Sequence, residues 1–494
     1  MLTFKFLGYM RKILVLFVLS TAITITGCKK FLDEKPQTEI DASSYWKNED
    51  DIKTGLAAMY DGLQVTFDNN YTIWGDARTD EVETTIYGDD AYVVNGLSAN
   101  TTGSDWSPFY KTINRANLLI KYVPVIKSEY VISLDQKVLN YYLSQAYAVR
   151  AFNYFWIVRL WGDAPYWNEP FETIGTDPYR ERMAANQVLD SITADLERAV
   201  ALSLNSTGTP NVYEASLGAM YSMLQDVNMW RKNYSKSVEW FTKLDALRTG
   251  SARRYDTVSR AQWKLLFTAP NDATNNKESI WSLPWDYIVD GGASVSELIG
   301  AGNTNSDFIV DDSVWKYWVA TPVDIRGYQS IDLRVPARDK FNKFYLLNAN
   351  GTTTYPNGSQ ANILFPLYRL ADMYLLRAEA ANKLGDQTTA LRYLNIIHQR
   401  AGLPAYLAAD LNSIAKMEDA ILEERKLELY MEAKRWFDLV RTDKVIPVMD
   451  QYYRDRQLRR GTVPTGFGDP RTILWPINRT VLNSNPKLVQ NVPY

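Results

Sequence analysis

The chain has 494 residues, with 54 basic against 57 acidic side chains and a formal charge of −3. This near balance, without a basic block, argues against nucleic acid as a partner. A single cysteine and a single histidine, His398 in a helical stretch, remove disulfide frameworks, most imidazole catalysis and His-rich metal sites.

The first 27 residues read as a leader. Arg11 and Lys12 form a basic n-region, and 13–25 (ILVLFVLSTAITI) an apolar stretch too short to span a bilayer. Small residues then precede the lone Cys28, the pattern of a lipobox, so Cys28 is expected to become the acylated first residue of the mature protein, with lipid chains that anchor it to a membrane. No other apolar run is long enough to cross a bilayer. The charged segment after Cys28 reads as an extended tether.

Helical periodicity dominates the chain beyond the tether. Ile52, Leu56, Met59 and Leu63 share one face of 49–65, and Phe109, Ile113, Ala116 and Ile120 one face of 108–122. An aromatic helix is predicted over 137–161, stopped by Gly162 and Pro165, and another over 186–203. The spans 213–229 and 234–247 form a pair, as do 366–384, with Pro366 at an N1-like position, and 388–401, ended by Gly402 and Pro404. The last pair matches a tetratricopeptide unit of about 34 residues. A final helix is expected over 413–441. The predicted fold is therefore mostly α: an irregular tetratricopeptide-like array of four helix pairs (49–65 with 108–122, 137–161 with 186–203, 213–229 with 234–247, 366–384 with 388–401) carrying little β. Scaffold segments 49–65, 108–250 and 366–441 alternate with loop-rich insertions 66–107 and 250–365, and a tail spans 442–494. Insertions this long are usually functional.

Aromatic residues make up 13% of the chain, including 15 Trp and 32 Tyr. Rings offer large contact area with few rotamers to freeze and stack on the C–H faces of sugars. Two loop clusters stand out. Trp74 lies with Asp76 and Arg78 in TIWGDARTDE, where a ring beside charged groups could hold a sugar and its hydroxyls; alternatively Arg78 clasps Asp80 or another scaffold acid. In WSLPWDY, Trp281, Trp285 and Tyr287 share one face of an extended strand, unless the segment is a buried strand. Trp315, Tyr317 and Trp318 are weaker candidates, and Trp106 reads as core. In 413–441, Glu424, Glu428 and Glu432 fall on one stripe, where like charges repel. Interleaved arginines in a structural network are the favoured compensation, because their forks match carboxylates.

Several segments resemble the SusD/RagB family of outer-membrane nutrient-binding lipoproteins: Cys28-Lys29-Lys30-Phe31-Leu32-Asp33; Arg150-Ala151-Phe152 running to Gly162-Asp163-Ala164-Pro165; Asp324-Ile325-Arg326, read as a structural clamp; Tyr368 to Asp372 with Arg377 to Ala380 and Arg400 to Pro404; Glu424-Arg425 through Arg441; and Trp475-Pro476-Ile477 with Asn485-Pro486. The tail QNVPY departs from the family in lacking Gly before its final Tyr. The resemblance implies four tetratricopeptide-like pairs, a lipid-anchored place on the outer face of the outer membrane, and a TonB-dependent (SusC-like) transporter as partner. It implies oligosaccharide or, in one branch, peptide as ligand, and no enzymatic activity. The expectation is a cell-surface glycan-binding lipoprotein without catalytic residues or cofactor, structural calcium being the one ion left open. Trp74, Asp76, Arg78, Trp281, Trp285 and Tyr287 are its ligand-binding candidates. Peptide capture, and a transporter lid that binds no solute strongly, are the alternatives.

Overall fold

The computed structural model describes residues 45–68, 70–172, 177–208, 211–272, 274–291, 306–353, 355 and 362–494; Cys28 and the leader lie outside them. Contacts divide the chain into residues 1–47 and a body of 48–494. Among the described residues no helix is long and apolar enough to cross a membrane.

The body is a helical array. α1 (Glu49–Phe67) starts at a capping box, in which Asn48 accepts from the Asp51 N–H and Asp51 from the Asn48 N–H, and three acids favour its positive N-terminal end. It buries Ile52, Leu56, Met59 and Leu63, the predicted face. A short α2 (Asn70–Gly75) comes next, and α3 (Ser107–Val125) packs on α1. α4 (Gln136–Trp161) is capped by Asp135, stops at Gly162 with φ 75°, and is buried all round through its second half. It packs on α5 (Ala185–Leu204), where Arg150 forks onto Asp195 at 2.8 and 2.7 Å. α6 (Leu217–Trp230) pairs with α7 (Tyr234–Asp245).

Among the described residues, three two-stranded antiparallel sheets accompany the helices. β1 (Val82–Thr84) pairs with β5 (Phe308–Val310), β2 (Arg248–Thr249) with β3 (Ala252–Arg253), and β4 (Ser279–Pro284) with β6 (Leu364–Arg369). Short helices within the insertion 250–365 include α8 (Asp312–Ala320) and α9 (Ile325–Ser330). The last pair is α10 (Leu370–Lys383) with α11 (Gln387–Arg400), followed by α12 (Ile414–Glu428), α13 (Arg435–Arg441) and α14 (Val445–Arg459). All four predicted pairings form.

Two helix boundaries differ from expectation. Residues 366–369 are strand, not the first turn of a helix: Pro366 sits in β6 opposite Ser282, and α10 begins only at Leu370. The run LFPLYR is apolar on both sides because β6 is buried on both faces. The span 413–441 is two helices joined by a turn at 429–434, where Met431 and Ala433 adopt φ 59° and 54°. Such left-handed residues cost about 1 kcal/mol or more each and persist where the surroundings over-determine them. Here the surroundings are ionic: the break turns Glu432 back beside Glu428.

The glutamate stripe meets the expected arginine network. Arg369 makes five hydrogen bonds: 2.6 Å to Glu428, 2.9 Å to Glu278, 2.8 Å twice to Glu432, and 2.7 Å to the Glu428 carbonyl. Arg400 joins Glu278 to Glu428, and Lys343 reaches Glu432 at 2.6 Å. Arg326 forks onto Asp324 at 2.9 and 2.7 Å and reaches Glu424 at 2.6 Å, so the Asp-Ile-Arg segment is a clamp. His398 is a buried structural side chain, 2.7 Å from Glu424 and stacked on Tyr406. Burial alone would raise the Glu428 carboxyl, but Arg400, Arg369 and Arg326 hold it well below the usual range.

The 429–434 turn also receives Asp76 and Glu81. Asp76 Oδ2 accepts from the Ala433 N–H and Glu81 Oε2 from the Met431 N–H, both at 3.2 Å. Their other oxygens are buried and have no hydrogen-bond partner among the described residues. Burial pushes the pKa of both carboxyls upward. At Gly75 the chain passes so close that an added Cβ would lie 2.1 Å from Ala433 Cα.

The tail closes the array. Trp161 Nε1 donates to the Pro476 carbonyl at 3.0 Å, the Trp475 N–H to the Leu160 carbonyl at 2.7 Å, and the Asn491 amide bridges the Trp161 and Trp475 carbonyls at 3.0 and 2.8 Å.

The 429–434 turn can be probed in two ways. Gly75→Ala must push the turn backbone away and should cost about 1–3 kcal/mol in chemical denaturation, with a lowered Tm. For Asp76, the folded pKa of about 8 lies above the unfolded value of about 4, so the folded chain holds more protons and this group's stabilisation is lost as pH rises between these two values. Asp76→Asn removes that loss, so the variant should gain on the wild type by up to about 1.4 kcal/mol per pH unit above about pH 4, read by urea unfolding at several pH values.

Candidate functional site

The six sequence-predicted residues do not come together. Trp74 is fully buried: its Nε1 donates to the Gly103 carbonyl at 2.9 Å, and its ring stacks on Phe109 at 4.9 Å and meets Phe67 and Trp161 edge-on. Asp76 is the buried acid of the 429–434 turn. Arg78 is also inaccessible; it donates to the Ile473 and Thr472 carbonyls and to Asn95, with its guanidinium 3.9 Å above the Trp436 ring. Asp80, its expected alternative partner, is instead forked by Arg435 at 2.8 and 2.9 Å. The first cluster is therefore frame, and the reading of it as a ligand platform is corrected: aromatic and charged residues at this density are what a core joining α1, α3, α4 and α13 requires.

The second cluster divides. Trp281 is fully buried, 4.8 Å from Phe152. The expected common face fails because β4 is irregular: its register against β6 shifts between Ser279 and Trp281 and again between Trp281 and Ser282, which breaks the two-residue alternation. Trp285 lies past the strand end, where its N–H donates to the Ile363 carbonyl at 2.8 Å. Tyr287 opens a short helix, Tyr287–Asp290, is 40% exposed, and its N–H is held by the Asn362 side chain at 2.7 Å.

Trp285 lines a cleft of about 720 Å³ together with Tyr213, Phe267, Phe344 and Tyr345. These rings brace one another: Trp285 and Phe344 both meet Phe365 edge-on, at 5.4 and 5.1 Å, and Phe267 meets Phe344 at 6.0 Å. Asp286, Asn348, Asn362 and Thr268 supply polar groups on the same walls. Tyr345 is 6% exposed, and its hydroxyl has no hydrogen-bond partner among the described residues; burial pushes its pKa well above the ordinary range, so it is a neutral donor. An apolar cleft with a few fixed polar groups is the usual form of a small-ligand site. Sequence reasoning finds Trp285 but misses Tyr213, Phe344 and Tyr345, which come from separate segments and carry no local motif.

Trp318 and Trp106 are structural. Trp318 in α8 is fully buried against Tyr430 at 5.0 Å, and Trp106 packs on Trp161 at 5.7 Å. Among the described residues, no three His, Cys, Asp or Glu side chains are grouped so as to hold a metal ion.

Comparison with known proteins accords with this architecture. A family model described as SusD family matches residues 335–494, and one described as starch-binding associating with outer membrane matches residues 30–229. The chain is 31% identical to SusD-like protein P38 of Formosa agariphila over 526 residues, covering 95% of this chain and 96% of that protein. It is 24% identical to SusD-like protein P25 of the same organism, covering 94% and 95%. Among solved structures, a SusD superfamily protein from Bacteroides vulgatus superposes with a TM-score of 0.74 at 18% identity, over 91% of this chain and 100% of that one. A protein described as a laminarin-binding SusD-like protein does so with 0.70 at 22% identity, over 91% and 100%. With a helical-pair frame of this kind and similarity to P38 that runs the length of both chains, the protein belongs to the SusD-like (SusD/RagB) family.

Proposed function

We propose that this protein binds oligosaccharides in the cleft around Trp285 and hands them to a TonB-dependent transporter, without chemically altering them. The observation that carries the reading is the cleft itself: braced rings for sugar faces, with Asn348, Asn362 and the unpartnered Tyr345 hydroxyl for sugar hydroxyls. The family model's description as starch-binding and the laminarin-binding description of one structural neighbour support the ligand class. The same family description, with its outer-membrane association, supports the location, and the lipobox at Cys28 supports the anchor. Tyr287, beside the cleft on the short helix that Asn362 tethers, is the further ring of the platform.

Calorimetry against glycan and peptide panels tests the reading. Trp285→Ala should weaken glycan binding at least tenfold, about 1.4 kcal/mol. Tyr345→Phe removes a hydroxyl that has no partner among the described residues, so it should leave stability unchanged or raised while weakening the ligand several-fold. Trp74→Ala should lower stability by about 3–5 kcal/mol without changing the affinity of the folded protein. Binding of peptides alone would overturn the ligand class, and glycan affinity indifferent to both Trp285→Ala and Tyr345→Phe would overturn the site. Cys28→Ala should move the protein from the membrane fraction to the soluble one.

A further inference from the structure

A second cleft has a volume of about 490 Å³. The chain segments that line the aromatic cleft line this one too: Val212 beside Tyr213, Pro270 beyond Thr268, and Ser279 and Ile280 at the start of the strand that ends at Pro284 and Trp285. The 211–213 segment is stitched to that strand by the Ser282 N–H, which donates to the Val212 carbonyl at 2.8 Å. At about 3.4 Å per residue, Ile280 and Trp285 are about 17 Å apart along the chain.

The two clefts differ in charge. Arg253, Arg254 and Lys277 line the second, with no carboxylate among its lining residues, in a chain whose formal charge is −3. Arg253 is committed: its guanidinium is paired with Asp245 and donates to the Tyr374 hydroxyl at 3.1 Å. Arg254 and Lys277 carry no ion pair among the described residues, Arg254 lying half-buried with its guanidinium 5.6 Å from the Tyr255 ring and Lys277 exposed. Their segments are held together by the Asp256 N–H, which donates to the Lys277 carbonyl at 3.1 Å, while the Asp256 carboxylate accepts from the Thr257 N–H at 2.9 Å and does not line the cleft. The floor is rigid, since the buried Asn276 amide donates to the Ser279 hydroxyl at 2.9 Å and its carbonyl accepts the Glu278 and Ser279 N–H groups at 3.2 Å. A concave wall lined by one sign of charge concentrates the opposite one, and an arginine fork matches a carboxylate or sulfate.

We infer that the second cleft takes the acidic group, carboxylate or sulfate ester, of an oligosaccharide whose neutral rings occupy the aromatic cleft, so that the preferred ligand is an acidic glycan. The inference rests on the oligosaccharide reading of the Trp285 cleft. Its test titrates the full chain with three probes of matched length: an oligogalacturonate, a sulfated galacto-oligosaccharide and a neutral gluco-oligosaccharide. At least one acidic probe should bind more tightly than the neutral one, with an affinity that falls as salt rises. The surface double variant Arg254→Gln/Lys277→Gln should weaken that probe at least tenfold and flatten the salt dependence, while changing neutral binding less than twofold. The two acidic arms separate carboxylate from sulfate, and either one binding in this way supports the inference. Binding of the neutral probe alone, or acidic binding indifferent to the double variant, overturns it and leaves the aromatic cleft standing. Silence of all three probes and of a wider glycan panel overturns the oligosaccharide reading together with it.

Discussion

The structure depends on the enclosure of charge. Arg369 spends every donor of its guanidinium on Glu278, Glu428, Glu432 and the Glu428 backbone, and all of these groups are buried. Ions taken out of water cost several kcal/mol each unless partnered, so no element of this lattice is stable there without the others. The lattice ties β6 to α12, the turn at 429–434 to β4, and, through Arg326 and Asp324, the insertion to the last helices. Further buried pairs extend it: Arg425 between Asp372 and Asp438, Arg441 on Glu379, and Arg435 on Asp80. These pairs fix geometry by direction as much as by energy, since a fork accepts a carboxylate in few orientations.

The aromatic residues answer a related demand. Helix pairs meeting at irregular angles leave gaps that small side chains do not fill, and Trp74, Trp156 and Trp161 with Phe67 and Phe109 close them, largely by edge-to-face contacts. Cations enter this stack as well: Arg159 lies 4.2 Å from the Phe155 and Phe437 rings and 4.6 Å from Trp156. The rings at the outer end of β4 and in 344–345 border the Trp285 cleft.

This division explains what can be read from the chain alone. Periodic apolar faces report the four helix pairs, because helices such as α1 and α5 each bury one stripe. The glutamate spacing reports an ionic network for the same local reason. The break at 429–434 is not legible, since Met431 and Ala433 are fixed in left-handed conformations by Asp76, Glu81 and the close approach of Gly75, all some 350 residues distant in sequence. Pro366 misleads because a proline at a helix start and one in a paired strand present the same local pattern. The Trp74 cluster misleads because ring plus charge is the composition of both a sugar site and this protein's core, and only the surroundings, an enclosed core around Trp74 and a cleft beside Trp285, tell them apart. Trp285 carries a legible signal, while its partners Tyr213, Phe344 and Tyr345 converge from distant segments.

The closure of α4 by the tail has a bearing on how the chain comes to exist in its folded form. The end of α4 is complete only when Trp475, Pro476 and Asn491 reach Leu160 and Trp161, more than 300 residues after that helix has been made. Non-local contacts of this kind are slow to form, since the loop must close before any contact rewards it. A nascent chain therefore keeps a ring-lined seam exposed until residues 475–491 have been made, a state compatible with passage of the polypeptide through a membrane before it acquires its shape.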